Sequence, residues 1–175
     1  VRENTADRGR DLLLMRRGTD GAEFENYLTA EWSEGNAEIS PDGRWVAYQS
    51  DESGEERIYA HSFPVITGQR SVSPGLGTDP IWSADGQKIY YRSGSQFLMV
   101  DVTTEPGFTV SAPTLLFDEV QYSRIQSQGW VRNWDLHPDG SHFIMVRAEG
   151  GGGAMLESVY LVVNWFEELK RRMGN

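Results

Sequence analysis

Three times in this chain an Asp-Gly pair stands between a short apolar run and a longer one: SPDGRWVAY from Ser40, SADGQKIYY from Ser83 and HPDGSHFIM from His137. A two-residue hairpin turn demands positive φ angles, which Gly supplies at little steric cost because it has no Cβ. Asp42-Gly43, Asp85-Gly86 and Asp139-Gly140 therefore predict three β-hairpins, spaced at intervals of 43 and 54 residues. Beyond each pair the chain alternates without turning polar on one side: Val46 and Tyr48 against Trp45 and Ala47, Tyr90 against Ile89 and Tyr91, Ile144 and Val146 against Phe143 and Met145. Strands of this kind must be covered on both faces.

The similarity extends past the hairpins. AEISPDGRWVAYQSDESGEERIYAHSFP from Ala37, DPIWSADGQKIYYRSGSQFLMVDV from Asp79 and NWDLHPDGSHFIMVRAEGGGGAMLESVYLVV from Asn133 share one order of elements. Each reads as a short strand, the turn, an alternating strand, a polar or Gly-rich loop and a third strand. That period and composition predict an all-β fold, a β-propeller of four-stranded antiparallel blades. Residues 11–30 read as a half blade that lacks its two inner strands, 36–77 and 78–119 as blades, 120–132 as an insertion loop, and 133–163 as an incomplete last blade. Residues 164–173 read as a short terminal helix, with Asn164 as N-cap and Glu167 at the capping-box position. About two complete and two partial blades make a partial ring, as expected of a piece of a longer chain. Its open blade edges would let copies of the fragment associate.

Composition narrows the function. Sixteen Lys and Arg against twenty-six Asp and Glu give a net charge of −10 with no basic stripe, which argues against nucleic acid as a partner. The absence of Cys removes disulfides, thiolate catalysis and zinc–thiolate sites. No stretch is long and apolar enough to span a membrane. The motifs of α/β-hydrolases, zinc peptidases, phosphate-binding loops, dinucleotide folds and kinase catalytic loops are missing from these residues, so the fragment is not expected to be an enzyme or to carry a cofactor.

The SPDGRWVAYQSDESGEERIYAHSFP segment, the following GTDPIWSADGQKIYYRSG and the closing VVNWFEELKRR resemble the TolB-like, WD-repeat-like β-propeller found C-terminal to many bacterial serine/threonine protein kinases. The resemblance covers roughly residues 11–172. It implies a noncatalytic sensing or protein-interaction module on the extracytoplasmic, periplasmic side of a bacterial membrane, joined to a kinase through a span that is not in this chain. Two alternatives accompany it: a periplasmic TolB-like scaffold, and the accessory propeller of a prolyl-oligopeptidase-type serine peptidase. The sequence departs from the family's repeat at His137, where Ser is usual, and at Ala84, where Pro is usual.

Candidate binding residues follow from the repeat. Innermost strands line a propeller's channel, and equivalent positions of successive blades form rings. Asn36, Asp79 and Asn133 stand four residues before the Ser or His of each turn motif, and Glu38, Ile81 and Asp135 two before it. With Trp130 and Arg132 they predict a polar, acidic funnel for a protein or peptide ligand, or for a small polar ligand. Trp82 aligns with Ile39 and Leu136 and is expected in the core. Asp42, Asp85 and Asp139 are expected to bond their own turns. His137 and His142 flank one turn and could share a metal, but without a carboxylate cluster at ligand spacing they read as turn-side polar residues, and no metal is expected. The Asp51–Glu56 loop and the Gly150–Gly153 run read as solvated loops.

Overall fold

The structure is a computed structural model that describes residues 2–4, 9–19, 21–118, 132–146 and 159–162. These residues form fifteen strands in four antiparallel sheets. The first sheet holds β1 (Arg2–Asn4), β2 (Arg10–Arg17) and β3 (Ala22–Leu28). The second runs from β4 (Glu34–Ile39) through β5 (Trp45–Ser50) and β6 (Arg57–Ser62) to β7 (Arg70–Ser71). In the third, β8 (Thr78–Trp82), β9 (Lys88–Ser93) and β10 (Gln96–Thr103) are followed by β11 (Thr109–Val110) and β12 (Thr114–Asp118), which both pair with β10. The fourth comprises β13 (Trp134–Leu136), β14 (Phe143–Val146) and β15 (Val159–Val162).

Consecutive strands pair in each sheet, as expected for a blade, except that β12 pairs with β10 rather than with β11. Three details differ from the sequence reading. The first sheet has an additional strand, β1, which pairs with β2 through Arg2↔Leu12 and Asn4↔Arg10. The outer edge of the third sheet is split, because the eight-residue β10 outruns any single partner: β12 covers its first half and β11 its last two residues. The turns are also longer than two residues. Ser40 N donates to Trp45 O and Gly43 N to Ser40 O, so four residues lie between the closing pair, and Ser83–Lys88 and His137–His142 close in the same way. Only the Gly of each Asp-Gly pair has positive φ, 71° at Gly43, 70° at Gly86 and 73° at Gly140, the pattern of a type I turn ended by a left-handed residue. The terminal helix and the insertion at 120–131 lie outside the described residues.

The two-sided apolar strands are divided between neighbouring sheets. Val46, Tyr48 and Tyr59 pack toward Leu12, Tyr27 and Leu28 of the first sheet. The intervening Ala47, Ile58 and Ala60 pack the other way, against Trp82, Ile89, Tyr91 and Val100 of the third. There the alternation repeats, with Tyr90, Phe97 and Leu116 meeting Trp134, Phe143 and Met145 of the fourth sheet. Period-two sequence thus yields three successive inter-sheet cores, one per neighbouring pair. Trp82, 5% exposed, is a core residue of the second of them.

One carboxylate is built into the first seam. Glu34, at the start of β4, is 2% exposed, and its partner Ser50 Oγ is 3.5 Å away. Burial foremost, with Asp11, Asp51 and Glu52 adding repulsion, pushes its carboxyl up to about 7. The native state therefore holds this proton more tightly than the unfolded chain, whose Glu titrates near 4.5. Stability should fall as pH rises from about 4.5 to about 7 and level off above, by about 1–3 kcal/mol from this group. Urea midpoints at pH 5 and pH 8 measure the effect, and Glu34→Gln should flatten the slope. A slope unchanged in that variant would show that Glu34 is not its source.

Candidate functional site

The sequence places Asn36 and Asp79 at equivalent points of β4 and β8, and the backbone gives them the same special geometry. Between Gly35↔Gln49 and Glu38↔Ala47, β4 carries one residue more than β5, and between Thr78↔Arg92 and Ile81↔Tyr90, β8 carries one more than β9. Each is a β-bulge, and its left-handed residue is Asn36 (φ 48°) or Asp79 (φ 57°). Asn and Asp are the residue types with a side chain that enter this region most readily. Their identity therefore serves the backbone before it serves any ligand.

The bulges also join the blades. Asn36 Nδ2 donates to Asp79 Oδ1 at 2.7 Å and to Gln49 Oε1 at 3.0 Å, and the Asp79 amide donates to the same Gln49 oxygen at 3.3 Å. Asp79 is fully buried and also accepts from Thr78 Oγ1. One blade further on, Arg92, 1% exposed, donates through Nη1 to Asn133 Oδ1 at 3.0 Å and lies over the Phe97 ring. Gln49 and Arg92 each stand six residues after a turn Gly. From that position both reach the inner-strand entrance of the next blade. They were missed as partners in the sequence, where the detectable signal was one polar residue at a fixed place in an otherwise apolar strand.

A second group lies nearer solvent. Arg132 Nη1 reaches Glu38 Oε2 at 2.5 Å and Pro80 O at 3.3 Å, while its Nη2 is 4.0 Å from Asp135 Oδ1. Glu38 Oε1 accepts from the Trp82 amide at 3.4 Å, and its carbonyl from the Trp82 indole at 3.2 Å. Burial raises the Glu38 carboxyl above its ordinary value, and Arg132 opposes that rise. Side-chain exposure is 28% for Glu38, 33% for Arg132 and 65% for Asp135, so the group remains open to a ligand. Of the funnel residues read from the sequence, Glu38, Arg132 and Asp135 come together, whereas Asn36, Asp79 and Asn133 hold the inter-blade seams. Trp130 lies outside the described residues.

The turns behave as their composition requires. Ser40 Oγ and Ser83 Oγ donate to Asp42 and Asp85 at 2.5 and 2.6 Å, and the backbone amides of Arg44 and Gln87 donate to the same carboxylates. The Ser hydroxyl is the main reason that both carboxyls sit below their ordinary value. A cleft of about 550 Å³ opens between these two turns, lined in part by Asp42, Asp85, Asp101 and Glu105. Its charge is largely answered already: Arg44 pairs with Asp42 and Glu105, and Lys88 with Asp101. A more apolar cavity of about 290 Å³ lies between the first two sheets, walled by Leu12, Tyr27, Asn36, Val46 and Phe63 among others.

No protein-family model matches the chain, and no curated protein matches it in sequence. Solved structures do resemble it. TolB from Acinetobacter baumannii superposes with a TM-score of 0.54 at 20% identity, over 83% of this chain and 34% of TolB. A 6-phosphogluconolactonase candidate from Bacteroides uniformis gives 0.53 at 17% identity, over 81% of this chain and 41% of its own. The chain thus spans between a third and two-fifths of the length of these structures. At such identities the likeness concerns the fold alone, and with the stacked four-sheet architecture it shows that this chain is an all-β protein with the TolB-like propeller fold.

Proposed function

We propose that the chain is a noncatalytic ligand-sensing or protein-interaction module whose binding site is the Glu38–Arg132–Asp135 group. The observation that carries this reading is the convergence of one cation and two anions, all partly exposed: Glu38 from the inner strand β4, Asp135 from the inner strand β13 of a different blade, and Arg132 from the segment just before β13. An ion pair this accessible can exchange partners: a peptide carboxylate can replace Glu38 on Arg132, and an ammonium can replace Arg132 on Glu38 or Asp135. The sequence resemblance supports a place in the C-terminal part of a bacterial receptor-type serine/threonine kinase, on the extracytoplasmic side of the membrane. No helix among the described residues is long and apolar enough to cross a membrane.

A thermal-shift screen of the chain against pooled tripeptides tests the site. A peptide present at about one hundred times its Kd adds about 2.7 kcal/mol, a rise of roughly 5–10 °C for a chain of this size. That rise should vanish in Arg132→Met and shrink in Asp135→Ala. Stabilisation that persists undiminished in both variants, or no stabilisation by any pool, would remove the support for this site.

A further inference from the structure

The third hairpin turn differs from its two sisters at the positions that close it. Where the second and third sheets carry Ser40 with Trp45 and Ser83 with Lys88, the fourth carries His137 with His142. The backbone is otherwise the same: His137 N donates to His142 O at 2.9 Å, and Gly140 N to His137 O at 2.8 Å. The cross-turn bond sets both imidazoles at the mouth of the turn, with ring centroids 5.6 Å apart. Asp139, whose sister residues serve only the turn, stands with them. Its Oδ1 is 2.8 Å from His137 Nδ1 and 4.0 Å from His142 Nδ1. One donor atom from each of the three residues fits within a 4.8 Å span.

We propose that His137, Asp139 and His142 form a binding site for a divalent transition-metal cation of the zinc class. Two imidazoles and a carboxylate are a ligand set that Zn²⁺ accepts, with the fourth tetrahedral position left to water or to a ligand from outside. Bonds of about 2.0–2.2 Å to a tetrahedral ion require donors roughly 3.3–3.5 Å apart; the two Asp139–His separations of 2.8 and 4.0 Å bracket that need, and since the three donor atoms lie within 4.8 Å of one another, the side chains close the site by drawing together by up to about 1.5 Å. The carboxylate is already oriented, since the Ser141 amide and hydroxyl both donate to Asp139 Oδ1, at 2.8 and 2.5 Å. Access is open as well, with His137 and Asp139 more than half exposed. The third histidine of the chain, His61, is 1% exposed, packed against Tyr27 and Tyr48 in a different seam, and cannot contribute. This site is separate from the Glu38–Arg132–Asp135 group and does not depend on it.

The untagged 175-residue chain, freed of metal with a chelator, is titrated with zinc chloride by calorimetry and with Co²⁺ by visible absorption. The expected result is one ion per chain, with the d–d bands of tetrahedral cobalt. His137→Ser and His142→Lys copy the residues of a sister turn, so the hairpin keeps a closure already proven in this chain. Each should weaken binding by about tenfold or more, the least that losing even an outer-shell partner costs a metal site. Absence of one-to-one binding would overturn the proposal. So would binding of equal strength in the His137→Ser, His142→Lys double variant, with circular dichroism confirming that the variant remains folded.

Discussion

Phe143→Ala should destabilise the chain by about 3–5 kcal/mol, the range for emptying a buried aromatic site. The ring is fully buried and touches Tyr90, Phe97 and Phe117 of the third sheet at centroid distances of 5.8, 6.3 and 5.8 Å, as well as Trp134 of its own sheet at 5.8 Å. Four rings lose an edge-to-face or tilted partner at once. The damage should be local before it is global. Amide hydrogen exchange should rise first across β13 and β14 while β5 and β6 keep their protection. Phe143→Leu should recover more than half of the loss. Uniform loss of protection across all sheets would show that the fourth sheet is not an autonomous layer.

Asp79→Ala is expected to cost about 3 kcal/mol, from two separable sources. An Ala at φ 57° pays roughly 1 kcal/mol for its Cβ, and removal of the carboxylate deprives Asn36 and Thr78 of a buried acceptor, worth roughly 2 kcal/mol. Asp79→Gly removes only the second part of the side chain's role and should be less damaging than Asp79→Ala by about 1 kcal/mol. Asp79→Asn, which tolerates the same backbone and still offers an oxygen, should be the mildest of the three. Urea midpoints rank them. If the Gly variant proves no better than the Ala variant, backbone strain at the bulge plays no part in selecting this residue.

The sequence carried the blade repeat and the double-sided strands openly, because both arise from local patterns: Asp-Gly punctuation and an alternation that never becomes polar. It misled where one signal has two causes. An Asp-Gly pair is the usual mark of a two-residue turn, but Ser40 Oγ also accepts from the Trp45 amide at 3.0 Å, and Ser83 Oγ from that of Lys88 at 2.9 Å. These bonds make the wider, four-residue turn self-sufficient. Likewise, the polarity of Asn36 and Asp79 suggested exposure, whereas it answers a positive φ and a buried inter-blade bond. The β11 strand was invisible because two residues hold no period. For the candidate site, repeat alignment located Glu38 and Asp135 by position, but the pairing with Arg132 depends on three-dimensional proximity across 94 residues of sequence.

The outermost strands bear on how copies of this protein can meet. β7 and β11 are two residues long, and the lateral rim beyond β10 is divided between β11 and β12. At the second and third sheets a rim this interrupted offers no continuous row of amides and carbonyls on which a strand from another molecule could template, whereas the seven-residue β3 is the outer edge of the first sheet. Ordered stacking through the outer edges of these two sheets, of the kind that seeds fibrils, is therefore disfavoured, and among the described residues a strand from another molecule would find its longer outer edge at β3.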